Sequence, residues 1–143
     1  MTQSLQSLVE QQVEQLSQLS SLLEQELHLI STRDAESLMS LLREKETTLE
    51  AIATTDTSID SLYREAKAND SLTDDIEQNI EKAKGLLEDC QYRTEINQKA
   101  VEQGQLRLTH LRNLMLEVRA KESLTYDKSG KPKGTGLGRG VSA

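Results

Sequence analysis

Residues 3–31 read QSLQSLVEQQVEQLSQLSSLLEQELHLIS, and Leu5, Val9, Val13, Leu16, Leu19, Leu23, Leu27 and Ile30 recur through them in steps of four and three. The mean step is close to the turn of an α-helix, about 3.6 residues, so these side chains share one face. The positions between them are mostly Gln, Ser and Glu, as a solvent-facing side requires. An amphipathic helix is therefore predicted over about 3–31. Ser31-Thr32-Arg33-Asp34 interrupts the pattern. Asp34 suits the N-cap of a new helix at Ala35, with Glu36 placed at the positive end of its dipole.

A second series runs Leu38, Leu41/Leu42, Lys45, Leu49, Ile52, Asp56, Ile59, Leu62/Tyr63, Ala66 and predicts a helix over about 35–67. Lys45 and Asp56 interrupt its stripe, and the simplest expectation is that their ends snorkel out of a narrow seam. Thr54-Thr55-Asp56-Thr57-Ser58 is poor helix material and marks an expected local irregularity. Asn69-Asp70-Ser71 breaks the chain again, and Ser71 with Asp74 resembles a capping box. The third series is Leu72, Ile76, Ile80, Ala83, Leu87, Cys90, Thr94, Asn97, Val101, Gln105, Leu108, Leu111, Met115, Val118. It predicts a helix over about 72–120, about 73 Å long and too long for either predecessor to cover. Thr94, Asn97, Gly104 and Gln105 point to a hinge or a solvated stretch near 94–105.

The composition agrees. Across 143 residues there are 23 Leu against 11 Val and Ile together, with no Trp, no Phe and a single Pro (Pro132). Strands favour the residue types that are scarce here, whereas the abundant ones are good helix formers. Short connections make successive helices antiparallel neighbours. The fold class is all-α: an elongated, coiled-coil-like antiparallel bundle of three long helices over 1–122, with a thin Leu/Ile core. A two-helix hairpin that dimerises is the structural rival. Residues 123–143 hold five of the seven Gly, the only Pro and a net charge of +3, and read as a flexible tail.

Charge and chemistry exclude several functions. Residues 1–98 carry 8 Lys/Arg and 20 Asp/Glu, whereas 99–143 carry 9 and 4. An acidic body with almost no stacking aromatics beside its basic end argues against a nucleic-acid binder. No apolar run exceeds three residues, which leaves no membrane-inserted helix, and the N-terminus lacks the pattern of a signal peptide, so the expected location is cytoplasmic. Cys90 stands alone on the third stripe, where a buried thiol is expected. His28 and His110 lie on different helices, and neither completes a Glu-x-x-His pair, since residues 25 and 107 are Gln25 and Arg107. The glycines at 134–140 open no helix and make no phosphate cradle. No cofactor, metal or catalytic residue is expected, and the chain is not read as an enzyme.

What remains is binding. Leu106, Leu108, Leu111, Leu114, Met115, Leu116 and Val118 form the most apolar stretch in the chain. At about 100° per residue, Leu108, Leu111, Leu114, Met115 and Val118 share an arc of about 120°, with Leu106 and Leu116 outside it. One reading is a helix end that is simply more buried. The other is an amphipathic helix that docks on a partner chain, with Met giving adaptable packing.

Three Gln/Glu/Leu-rich helices beginning almost at residue 1, an acidic body, and Leu124-Thr125-Tyr126-Asp127-Lys128-Ser129-Gly130 soon after the last helix resemble the FlgN-type flagellar export chaperones. The resemblance implies a cytoplasmic chaperone of flagellar type III export. It would bind hook-associated (hook–filament junction) proteins, prevent their premature assembly and deliver them to the export-gate protein. It also implies that Leu106 to Val118 hold a client's terminal helix, and that Tyr126, with Leu124 beside it, docks on the gate. The alternative is a non-catalytic structural or adaptor coiled coil that dimerises through its apolar stripes.

Overall fold

The computed structural model describes residues 3–127, with side chains through residue 122. Three helices follow in order: α1 Leu5–Thr32, α2 Ala35–Ala68 and α3 Asp74–Asp127. No strand occurs among the described residues. The all-α prediction therefore stands, with each long apolar series on its own helix.

Local chemistry sets the breaks. Ser4 caps α1 by accepting the Ser7 N–H at 3.2 Å. Asp34 caps α2 as expected: one carboxylate oxygen accepts the Ser37 N–H at 3.1 Å and the other accepts the Ser37 hydroxyl at 2.8 Å. Between these helices Arg33 turns left-handed, at φ 59°, and the Asp34 N–H donates back to the Leu29 carbonyl. The capping box expected of Ser71 and Asp74 does not form. Asp70 takes the left-handed turn at φ 52°, and the Ser71 N–H is used to close α2, donating to the Ala66 carbonyl at 2.9 Å. Thr73 caps α3 instead, accepting the Ile76 N–H at 3.3 Å.

The chain divides into two units, residues 1–100 and residues from 101 onward. In the first, α1 and α2 run antiparallel: the Gln12 amide donates to Asp56 at 3.2 Å, and Lys45 donates to Glu26 at 2.9 Å. There α3 runs parallel to α1. The Leu16 carbonyl accepts from the Cys90 thiol at 3.5 Å, and seven residues on the Leu23 carbonyl accepts from the Asn97 amide at 2.9 Å. Leu5, Leu8, Val9, Ile59 and Ile76 make one core cluster, and Leu19, Leu23 and Cys90 another. Among the described residues Val9 and Leu23 are the largest side chains fully enclosed. Each contributes about 1.5–3 kcal/mol by leaving water, and a core this thin has few such contributors.

Two local expectations need correction. Residues 54–58 do not distort α2: the hydroxyls of Thr54, Thr55, Thr57 and Ser58 each donate to the carbonyl one turn back, so they are satisfied within the helix. Lys45 does not snorkel, because its ammonium meets the buried Glu26 carboxylate. The 94–105 stretch is mostly exposed, as expected, and the division between the two units falls inside it, after residue 100. It stays helical throughout, and Asn97 is buried, its amide donating both to the Leu23 carbonyl and to Glu26 Oε1 at 2.6 Å.

Helix α3 also runs to Asp127 rather than to about 120, so the expected boundary at 122/123 falls inside it. The rest of the expected tail, with its glycines, lies outside the described residues.

Candidate protein-binding surface

Residues 101–127 are helical throughout. Leu, Arg, Glu, Gln and Met prevail in this stretch and favour that conformation, with Gly104 its weakest helix former. Its large apolar side chains are in water. Leu106 is 69% exposed, Leu108 57%, Leu111, Met115 and Val118 54% each, and Leu114 44%. Leu116 is half-buried. The five residues of the predicted arc therefore form a continuous exposed ridge about 15 Å long, with Leu106 exposed on another side of the helix. Leu124 and Tyr126 fall in the last turns of α3, and their side chains lie outside the described residues.

A second apolar surface was not anticipated from the sequence. Within residues 1–100 a groove of about 520 Å³ opens between α2 and α3, with Leu16 of α1 at its base. Leu49 and Leu87 stand in its walls, 44% and 46% exposed. Both lie on stripes that the helical period assigns to a core, and no local sequence signal says that two such stripes stand apart.

Polar contacts tie the same unit together. Glu26 and Asn97 are both buried, and Lys45 completes their cluster. Beside it Arg93 reaches Asp89 at 2.9 Å and Glu24 at 3.2 Å. The Ser20 hydroxyl donates to Asp89 at 2.8 Å. The hydrogen bonds from Arg93 and Ser20 hold the Asp89 carboxyl below its ordinary range. Burial pushes the Cys90 thiol up, and the adjacent Asp89 charge adds to the shift. A raised, enclosed thiol is a poor nucleophile, consistent with the packing role expected of Cys90. His28 and His110 are both exposed on separate helices. No cluster of His, Cys, Asp or Glu suited to a metal ion occurs among the described residues, nor is any described helix long and apolar enough to cross a membrane.

An exposed Leu/Met ridge on a helix is the kind of surface by which helical proteins hold other polypeptides. The FlgN protein family matches residues 1–134, and the chain belongs to that family, whose members are chaperones of flagellum biogenesis rather than enzymes. No curated protein and no solved structure matches the chain.

Proposed function

We propose that this protein is a cytoplasmic chaperone of flagellar type III export. It holds hook-associated proteins through the ridge at Leu108, Leu111, Leu114, Met115 and Val118, keeps them from assembling early, and delivers them to the export gate. The exposure of that ridge is the observation that carries the reading. A secretion substrate must keep its interactive terminal segments from pairing with themselves. An amphipathic client helix laid along the ridge would bury both apolar stripes, with no nucleotide or metal required. Leu106 and Leu116 would extend the contact at its edges. Delivery must be reversible, which a ridge of five side chains permits better than a large obligate interface. Leu124 and Tyr126 are assigned to gate docking on the strength of the family resemblance.

The test is a pull-down from lysate of flagellated cells with the full-length chain, L111Q/M115Q and a 123–143 deletion. The full-length chain should recover hook-associated proteins, L111Q/M115Q should lose them with its helicity unchanged, and the deletion should retain them while their export stops. Recovery by L111Q/M115Q at the full-length level would remove the ridge from the mechanism.

A further inference from the structure

We propose that the groove between α2 and α3 takes the apolar ridge of a second copy of this chain. Its floor is built from Ile52, Ile59 and Ile80, and its walls rise to Leu49, Tyr63 and Leu87. Leu49 and Leu87 are nearly half exposed at positions where the helical stripe calls for burial. A third helix laid between the walls would cover both.

The rims say what kind of helix. At about 100° per residue, Glu46, Glu50 and Asp60 border the groove on α2, and Glu77, Glu81 and Glu88 border it on α3. All six are exposed. Among the described bases, Arg64 pairs with Asp60 at 3.2 Å and Lys84 with Glu81 at 3.5 Å, and Lys67 lies on the same α2 face one turn beyond Tyr63. Between these rims the lining is apolar apart from Gln12 and Asp56, which bond to each other, and acidic rims around such a surface favour an amphipathic helix with basic borders.

This chain carries such a helix. In the same projection Arg112 and Arg119 line one edge of the Leu108–Val118 ridge and Arg107 falls within it, while Glu102 and Glu117 lie away from it and Glu122, one turn past Val118, falls within the arc. The ridge is about 15 Å long, the α2 wall from Leu49 to Tyr63 about 21 Å and the α3 wall from Ile80 to Leu87 about 11 Å, so α2 can back the whole ridge and α3 part of it. Every copy thus exposes two apolar surfaces of opposite charge character, and ridge-in-groove docking covers one of each. The inference does not depend on client binding. If the ridge also holds clients, a second copy and a client compete for it.

Sedimentation velocity on the full-length protein, over a concentration series at low and high salt, tests this. Reversible self-association is expected, weaker at high salt. L49Q/L87Q should weaken it about tenfold or more, as should L111Q/M115Q. The groove variant mixed with the ridge variant should associate, because each keeps the surface that the other lacks. E81K/E88K, at exposed positions, provides a second groove variant should L49Q/L87Q fail to fold, and it too should weaken association. A monomer at every concentration overturns the proposal, as does wild-type association by the groove variants or a mixture that stays monomeric. Client recovery by L49Q/L87Q, scored in the same pull-down, separates this outcome from the fate of the chaperone reading.

Discussion

Replacing Lys45 by Met removes the cation from the cluster it forms with Glu26 and Asn97 and keeps a similar stem. The Glu26 side chain is 7% exposed and that of Lys45 22%, with Nζ 2.9 Å from Oε2. Without the ammonium, Glu26 retains the Asn97 amide on Oε1 and loses the cation that pairs with it. Breaking a fully buried pair costs about 3–5 kcal/mol. Lys45 keeps some contact with water, which places the K45M cost nearer about 2–3 kcal/mol. For a chain of this size that lowers Tm by about 10 °C. Urea and thermal denaturation followed by far-UV circular dichroism measure it. The triple variant E26L/K45M/N97L supplies the contrast. It removes the charges and the amide together, and its stability should return to the wild-type level or exceed it by about 1–4 kcal/mol. Should K45M lie within about 0.5 kcal/mol of wild type, the pair contributes nothing and Lys45 acts by its stem alone, as a snorkelling residue would.

Arg33 holds a left-handed conformation at φ 59° that a side chain disfavours, so R33G should raise stability by about 0.5–1 kcal/mol in the same urea titration; a loss would show that the Arg33 side chain matters more than the strain. The enclosed, raised thiol of Cys90 should react slowly with Ellman's reagent in the native protein and fast in urea, and a fast native reaction would contradict its burial. Asp34 and Asp89 are held below their ordinary pKa, the first by the Ser37 backbone and side chain, the second by Arg93 and Ser20. Their stabilisation is complete above the unfolded value, about 3.9, and is lost as pH falls through the lower folded values. D34A and D89A should therefore melt earlier than wild type at neutral pH and lose less on acidification, whereas parallel curves would rule out the linkage.

Periodicity made the three helices legible, because each stripe repeats over many turns and Asp34 marks the first break plainly. The same reasoning found the ridge, whose five residues share an arc whatever the rest of the chain does. It failed where a contact joins distant helices. Lys45 and Asn97 read as flaws on their own stripes, and only α1 packed against both shows that they meet at Glu26. The groove escaped for the same reason: Leu49 and Leu87 look like core residues, and the space between their helices is not a local property. Residues 54–58 misled in the other direction, since helix propensity does not include the carbonyl one turn back that accepts each hydroxyl.

The two side-chain bonds from α3 to carbonyls of α1 lie seven residues apart on each helix, and this matched spacing acts as a ratchet with a single tooth. Sliding α3 by one heptad would set Asn97 against the Leu16 carbonyl and part its amide from the Glu26 carboxylate. Leucines alone would tolerate such a slip, since one apolar rung resembles the next. Within residues 1–100 a load along α3 therefore meets this matched pair before it can shift the helix by a heptad.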